Sequence, residues 1–353
     1  SDWIEKSNST SQNKGISKPV LIGVSAVIVA AILIIVVSIP GDRGGGISKD
    51  ELVEQLRNGD RSGTDFTGVD LSDSDLSGLD NMELFGLDFS GADLSLVDFT
   101  GSDLGYVDFT DAILSNAIFS NNNLEGATFS GYYSSVTIRD SNLKSTWWDG
   151  ELDWVRFENV DLSWAEFGGR LSQYAITLDS VWFTDSTFYG TQFHCFENEG
   201  DVRFYRNSIS YMSLTDYYID CGTPDWSDAY FGQNIFSDVY LEGGNFESAR
   251  FLCNSFIGSS LSYNDFTYTH FQTVYSTYTP DGRYQGTEVC DQTFTDTQME
   301  DSTFGTFLEG TSFVGSSLEY SSMSVSEDVT WWDTICPDGT NSDDNENTCE
   351  NNL

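Results

Sequence analysis

From residue 62 onward the chain sets a large apolar residue at every fifth position. The stretch reads GTDFT-GVDLS-DSDLS, then GLDFS-GADLS-LVDFT-GSDLG-YVDFT-DAILS-NAIFS-NNNLE-GATFS. Its centres are Phe66, Leu71 and Leu76, then Phe89, Leu94, Phe99, Leu104, Phe109, Leu114, Phe119, Leu124 and Phe129. A period of five is neither the 3.6 of a helix nor the 2 of a simple strand. The pattern resumes after phase slips: Leu152 to Phe167, Leu178 to Phe193, Phe204 to Ile219, Phe231 to Phe271, Phe294 to Phe304 and Phe313 to Met323. The breaks near 195–202, 220–228 and 272–290 hold prolines and cysteines, and they read as surface loops. Before the repeats, Ser48 and Glu51 form a capping box that opens a short helix at about 49–58. Leu52, Val53 and Leu56 would lie on one face of it, ready to cover the first repeats. Trp331 and Trp332 would cover the other end.

Units such as Ala92-Asp93-Leu94-Ser95 and Val69-Asp70-Leu71-Ser72 resemble the pentapeptide-repeat family, whose unit is A-(D/N)-L-x-x. The resemblance spans residues 62–330 and implies an all-β fold, a right-handed quadrilateral β-helix with one repeat per face. The Leu or Phe points inward, and so does the small residue two before it, as at Ala92, Ala117, Ala127 and Ala249. The Asp before the centre and the Ser or Thr after it would face water. At about 4.8 Å per coil, the rod would be roughly 60 Å long. Some family members are acidic, mimic duplex DNA and occupy DNA gyrase, so a gyrase modulator is one implied alternative.

Ahead of the repeats, residues 20–39 carry no charge and only Ser25 and Ser38 as polar side chains. Twenty helical residues span about 30 Å, the thickness of a bilayer core. The expected organisation is an N-terminal tail (1–18), a transmembrane helix (19–40), a linker with the capping helix (41–61), the β-helix (62–330) and a C-terminal cap with an acidic tail (331–353). Lys14-Gly15-Ile16-Ser17 also resembles the leader junction of archaeal type IV pilins, which implies a second alternative, a filament subunit processed after Gly15.

Charge then narrows the partners. The chain of 353 residues has 15 Lys+Arg against 56 Asp+Glu, a formal net charge of −41. That balance opposes a nucleic-acid partner, whose phosphates need a positive surface. Lysines and arginines tie across the apolar segment, so orientation rests on the cysteines. Cys195, Cys221, Cys253, Cys290, Cys336 and Cys349 all follow it, an even number suited to disulfides in an oxidising space. Cys195–Cys221 and Cys253–Cys290 are the expected pairs among the fifteen arrangements open to six cysteines. A single-pass membrane protein with an extracytoplasmic C-terminal domain follows.

No motif supports catalysis, and none calls for a cofactor: Walker, G-x-S-x-G and H-E-x-x-H patterns are absent. The Asp columns read as solvated repeat positions rather than paired carboxylates. Asp338, Asn341, Asp343 and Asp344 supply oxygens that suit Ca²⁺, although an EF-hand spacing is missing. The plainer reading is a hydrated loop closed by Cys336–Cys349. Trp147, Trp148, Trp154, Trp164 and Trp182 lie mostly off the centre positions. If exposed together they would meet a protein or stack on a glycan, which makes a structural or binding role at the cell surface the expectation.

Overall fold

In a computed structural model the chain divides into two units, Ser1–Ile47 and Ser48–Leu353. The structure describes residues 48–349 apart from 60–65, 79–83, 169–175, 195, 213–224, 242–243, 267, 273, 279–283, 290–291, 300–301, 305–310 and 324–328. The apolar segment 20–39 and Gly15 lie outside the described residues. Among the described residues no helix is long and apolar enough to cross a membrane.

The second unit is a stack of parallel β-coils with four columns of inward centres. The first column begins Phe66, Phe89, Phe109, Phe129, Trp148, Phe167 and Phe193, and the second Leu71, Leu94 and Leu114. The third starts at Phe99 and continues through Phe119, Ile138, Phe157, Phe183, Phe204, Phe231, Phe251 and Phe271, the last eight in an 8-stranded sheet. The fourth includes Phe188, Ile209, Phe236, Phe256, Phe294, Phe313 and Trp331 in a 7-stranded sheet. All of these centres are buried. Because parallel pairing sets centre over centre, the rings stack. Phe129 and Trp148 lie 3.9 Å apart at 1°, Phe236 and Phe256 4.4 Å apart at 2°, and Phe313 and Trp331 5.0 Å apart at 11°. Such pairs stabilise beyond their area alone.

Corners explain the residues between centres. Ser74 N–H donates to the Leu71 carbonyl and Ala92 N–H to that of Phe89, closing four-residue turns. The third residue of each turn sits at positive φ (57° at Asp73, 65° at Gly91), as a type II turn requires. The Asp ahead of the centre is not merely solvated. Asp70 Oδ1 accepts from both the N–H and the hydroxyl of Ser72, and Asp88, Asp93, Asp108 and Asp161 do the same for the Ser or Thr two residues on. The column expected to be a hydration surface therefore fixes the backbone on its way into each corner.

The inward position two before the centre is polar in many late coils. Asn207, Asn234, Asn254 and Gln292 form a buried ladder: each backbone N–H of the first three donates to the next amide oxygen. The Asn207, Asn234 and Asn254 Nδ2 groups donate to the carbonyls of Phe183, Phe204 and Phe231. Alanine in this place has no such reach. The sequence reading of small inward residues was incomplete, because an amide here has a partner in both adjoining coils.

Both ends depart from a bare coil. Helix α1, Lys49–Arg57, starts at Ser48, whose side chain accepts from Glu51 N–H. Leu56 is buried in the core, Leu52 and Val53 pack against it, and Arg57 pairs with Asp75 at 3.1 Å. At the other end Trp331 is a centre residue and Trp332 is exposed, so the pair does not form the cover expected of it. That place is taken by residues 336–349. Ile335 pairs antiparallel with Asn341, Ser342 exchanges backbone and hydroxyl bonds with Thr334, and Cys336–Cys349 (S–S 2.07 Å, both residues fully buried) closes the turn. The break at 272–290 is also not a simple loop: Val274–Tyr278 and Tyr284–Val289 form an antiparallel hairpin, after which Thr293 resumes register over Ser255.

Two measurements test this frame. Urea unfolding should show Asn234→Ala costing about 2–3 kcal/mol, since it strands buried donors and acceptors in both neighbouring coils. Asp98→Ala removes the acceptor of Thr100 N–H and should cost about 1 kcal/mol. Acid should weaken the fold as well. Hydrogen bonds from the Ser72 and Ser77 hydroxyls, then from their N–H groups, hold Asp70 and Asp75 below the ordinary carboxylate value. Their stabilisation is complete above the unfolded value of about 3.9 and is lost as pH falls through the lower folded value. Thermal midpoints should drop below about pH 4. Replacing both by Asn, which keeps an acceptor oxygen, should flatten that acid limb.

Candidate binding surfaces

The five tryptophans singled out from the sequence separate into three situations. Trp148 is 1% exposed and is a centre residue, stacked between Phe129 and Phe167, with Nε1 donating to Thr146 Oγ1 at 2.9 Å. It is packing rather than binding surface, because it takes the place that Phe holds in neighbouring coils. Trp182 is half-buried, with the Arg156 guanidinium 4.5 Å from its ring centroid and that of Arg203 at 4.9 Å. Trp147, Trp154 and Trp164 are exposed. Trp147 points out from the first face, where its register partners are Thr128 and Glu166. The structure does not gather the five into one patch.

Trp154 and Trp164 share an unusual backbone. Both occupy the left-handed third place of a corner turn, at φ 54° and 62°. A side chain bearing a Cβ is strained there by about 1–2 kcal/mol, and glycine is the easy occupant. Tyr106, Tyr211, Tyr263, Tyr268 and Tyr320 occupy the same kind of place, all exposed, Tyr320 to 71%. The sequence reading missed these tyrosines. The signal was available: each lies two residues after a centre, where glycine, Asp or Asn stands in other units.

Along one edge the rings meet each other. Phe85 and Tyr106 lie 5.4 Å apart, Trp164 and Tyr189 5.4 Å, and Tyr189 and Tyr211 5.2 Å, all edge-on. Two rings lie down over glycines of the next coil. A Cβ at Gly126 would come 2.6 Å from the Tyr106 ring, and one at Gly190 would come 2.6 Å from that of Trp164. These glycines are thus needed for close approach as well as for their own positive φ.

Three of the four tail residues proposed for Ca²⁺ accept hydrogen bonds from nearby groups. Asp338 Oδ1 accepts from Thr340 N–H and its hydroxyl, Asn341 Oδ1 from Asp343 N–H, and Asp343 Oδ1 from Asp333 N–H. Asp344 falls in the short 3-10 turn Ser342–Asp344. Among the described residues no group of three or more His, Cys, Asp or Glu is placed to hold a metal. Cys253 is disulfide-bonded, and no described cysteine is free. Cys195, Cys221 and Cys290 lie outside the described residues, and with them the two expected pairings.

A four-column parallel coil with a five-residue unit defines a class, the β-solenoids built from short repeats. Within it, residues 65–101 and 92–131 match the family model of pentapeptide repeats, in 8 copies, so that stretch of the chain consists of pentapeptide repeats. Among solved structures the chain is similar to HetL, a pentapeptide repeat protein involved in heterocyst differentiation regulation from the cyanobacterium Nostoc sp. strain PCC 7120. Identity is 15%, over 83% of this chain and 98% of HetL, with a TM-score of 0.29. It is also similar to full-length QnrB1, a plasmid-mediated fluoroquinolone resistance protein, at 13% identity over 56% of this chain and 83% of that one, with a TM-score of 0.22. No curated protein matches the chain.

The contrast between centre and corner is directly measurable. Trp148→Ala should cost about 3–5 kcal/mol in a thermal or urea melt, the usual loss for a large buried ring. Trp164→Gly should leave stability unchanged or raise it by up to about 1 kcal/mol, because relief of strain offsets the lost contacts.

Proposed function

We propose that the chain is a non-catalytic, membrane-anchored repeat protein that displays its coil outside the cytoplasm and binds a protein or glycan there. The observation that carries the reading is the set of exposed aromatic residues held at left-handed corners. Backbone strain persists where something other than stability selects the residue. Exposed Trp and Tyr supply large, stiff contact area, the usual anchors of a binding surface. The apolar run at 20–39 supports the anchor, and the Cys336–Cys349 bond supports an oxidising compartment. On this reading helix α1 and the disulfide-closed turn act as covers for the two ends of the stack, as solenoids require.

Compartment and binding are tested together. Protease treatment of intact cells should release the coil, and thiol labelling of denatured, unreduced protein should find few free cysteines. Substituting glycine for Trp154, Trp164 or Tyr211 should weaken attachment to the surface partner by about 1–3 kcal/mol at one or two of these sites. A coil that is inaccessible on intact cells, with its thiols free, would move the protein to the cytoplasm and leave the gyrase reading standing. Processing after Gly15, seen by N-terminal sequencing of the mature protein, would favour the filament reading instead.

A further inference from the structure

On the third face the residue just before each centre points outward, and there arginine alternates with aromatic residues. Arg156, Trp182, Arg203, Tyr230 and Arg250 follow one another in direct parallel register. Arg139 and Arg206 flank this stripe, Arg139 beside Glu158 and Arg206 stacked 4.9 Å over the Tyr205 ring. Among the described residues after Phe66, every lysine and arginine except Lys144 lies on or beside this face. In a chain of net charge −41 that segregation asks for a physical reason.

The alternation gives the stripe its geometry. Trp182 has a guanidinium on each side, which keeps the two cations apart and fixes their planes. Arg203 pairs with Asp201 and Arg206 with Asp185, each at 2.5 Å. Arg156 and Arg250 form no ion pair among the described residues. A depression of about 650 Å³ opens beside the stripe, and Arg203, Tyr230 and Arg250 line it together with Glu199, Asp201 and Asp228.

Spacing selects the ligand. Successive coils lie about 4.8 Å apart, so Arg156, Arg203 and Arg250 recur about every 10 Å. Duplex DNA carries a phosphate about every 3.4 Å along each strand, far denser than this array. One coil advances by close to the length of one pyranose residue, and two coils by a disaccharide. Guanidinium forks match carboxylate and sulfate oxygens, and the Trp182 ring, with Arg156 and Arg203 over it, holds two of those forks in place. The net negative charge repels a polyanion from afar. Within the screening length of about 8 Å at physiological salt, the ligand meets the stripe itself.

We propose that this stripe binds a linear acidic glycan with one carboxylate or sulfate per disaccharide, the anionic groups taken by Arg156 and Arg250 at its two ends, with Trp182, Arg203 and Tyr230 as the rigid spacer between them. The proposal deepens the surface-binding reading above but stands on residues separate from the corner aromatics.

Calorimetry on the full chain in detergent tests it, with hyaluronan oligosaccharides as the acidic probe and chitin oligosaccharides as the uncharged one. Hyaluronan should bind and weaken as salt rises, and chitin should not bind. The double variant Arg156→Gln, Arg250→Gln should lose at least tenfold in affinity with an unchanged melting temperature, while Lys144→Gln, which removes a cation away from this face, keeps wild-type affinity for hyaluronan. Should the Gln variant melt early, Arg156→Lys, Arg250→Lys keeps the charge without the fork and should show an intermediate loss. Absence of hyaluronan binding, equal binding of chitin, or wild-type affinity in the double Gln variant would overturn the assignment. So would concentration-dependent self-association in sedimentation that the same variant abolishes, since that gives the stripe to an acidic face of a second copy. Attachment to cells that depends on the corner aromatics would survive any of these results, so the two readings fail separately.

Discussion

Parallel hydrogen bonding between coils is the constraint on which everything else depends. Each centre is held over its counterpart one coil below, so a residue meets its own kind at nearly constant spacing. This is why Phe stacks on Phe through most of a column and why Trp148 fits among phenylalanines without disturbing them. It is also why the amides from Asn207 to Gln292 can form a chain: a buried amide with one partner below and one above is satisfied, whereas a single one would leave its neighbours short. On the outer surface the same repetition turns isolated residues into stripes, whether of carboxylates, rings or guanidiniums.

The centres were legible in the sequence because the period of five is unlike any helix or strand rhythm. Phe99, Phe188 and Phe256 needed nothing more than counting. The start of the helix was legible for a local reason, since Ser48 accepts from Glu51 N–H within one helical turn. Less was legible where meaning depends on the neighbouring coil. Asp70 looked solvated because its partner, Ser72, is fixed only once the corner has formed. Trp148 looked like a surface residue because a phase slip hides its alignment with Phe129. The Arg156–Trp182–Arg203 sandwich joins residues far apart in sequence, and no local pattern announces it.

Surface and interior thus answer to different demands. Inside, the amide ladder pairs most of its polar atoms, although Gln292 Nε2 at its end has no hydrogen-bond partner among the described residues. At the corners, bulky residues such as Trp164 and Tyr320 occupy backbone conformations that glycine would adopt freely. The coil holds such residues because ladder bonds on both flanking faces fix the corner regardless of its occupant. Trp164 N–H, for example, donates to the Tyr189 carbonyl in the next coil.

The hairpin at Val274–Val289 has a consequence for how such a chain changes over generations. Asn254 donates directly to Gln292, as though the 38 positions separating them were an ordinary coil. A coil reads only the one beneath it, so register carries no memory of how long the chain took to return. Extra sequence inserted at a corner is invisible two coils further on. Such a fold can acquire and discard whole excursions by mutation while its scaffold stays the same, and new surface chemistry arises where the counting stops.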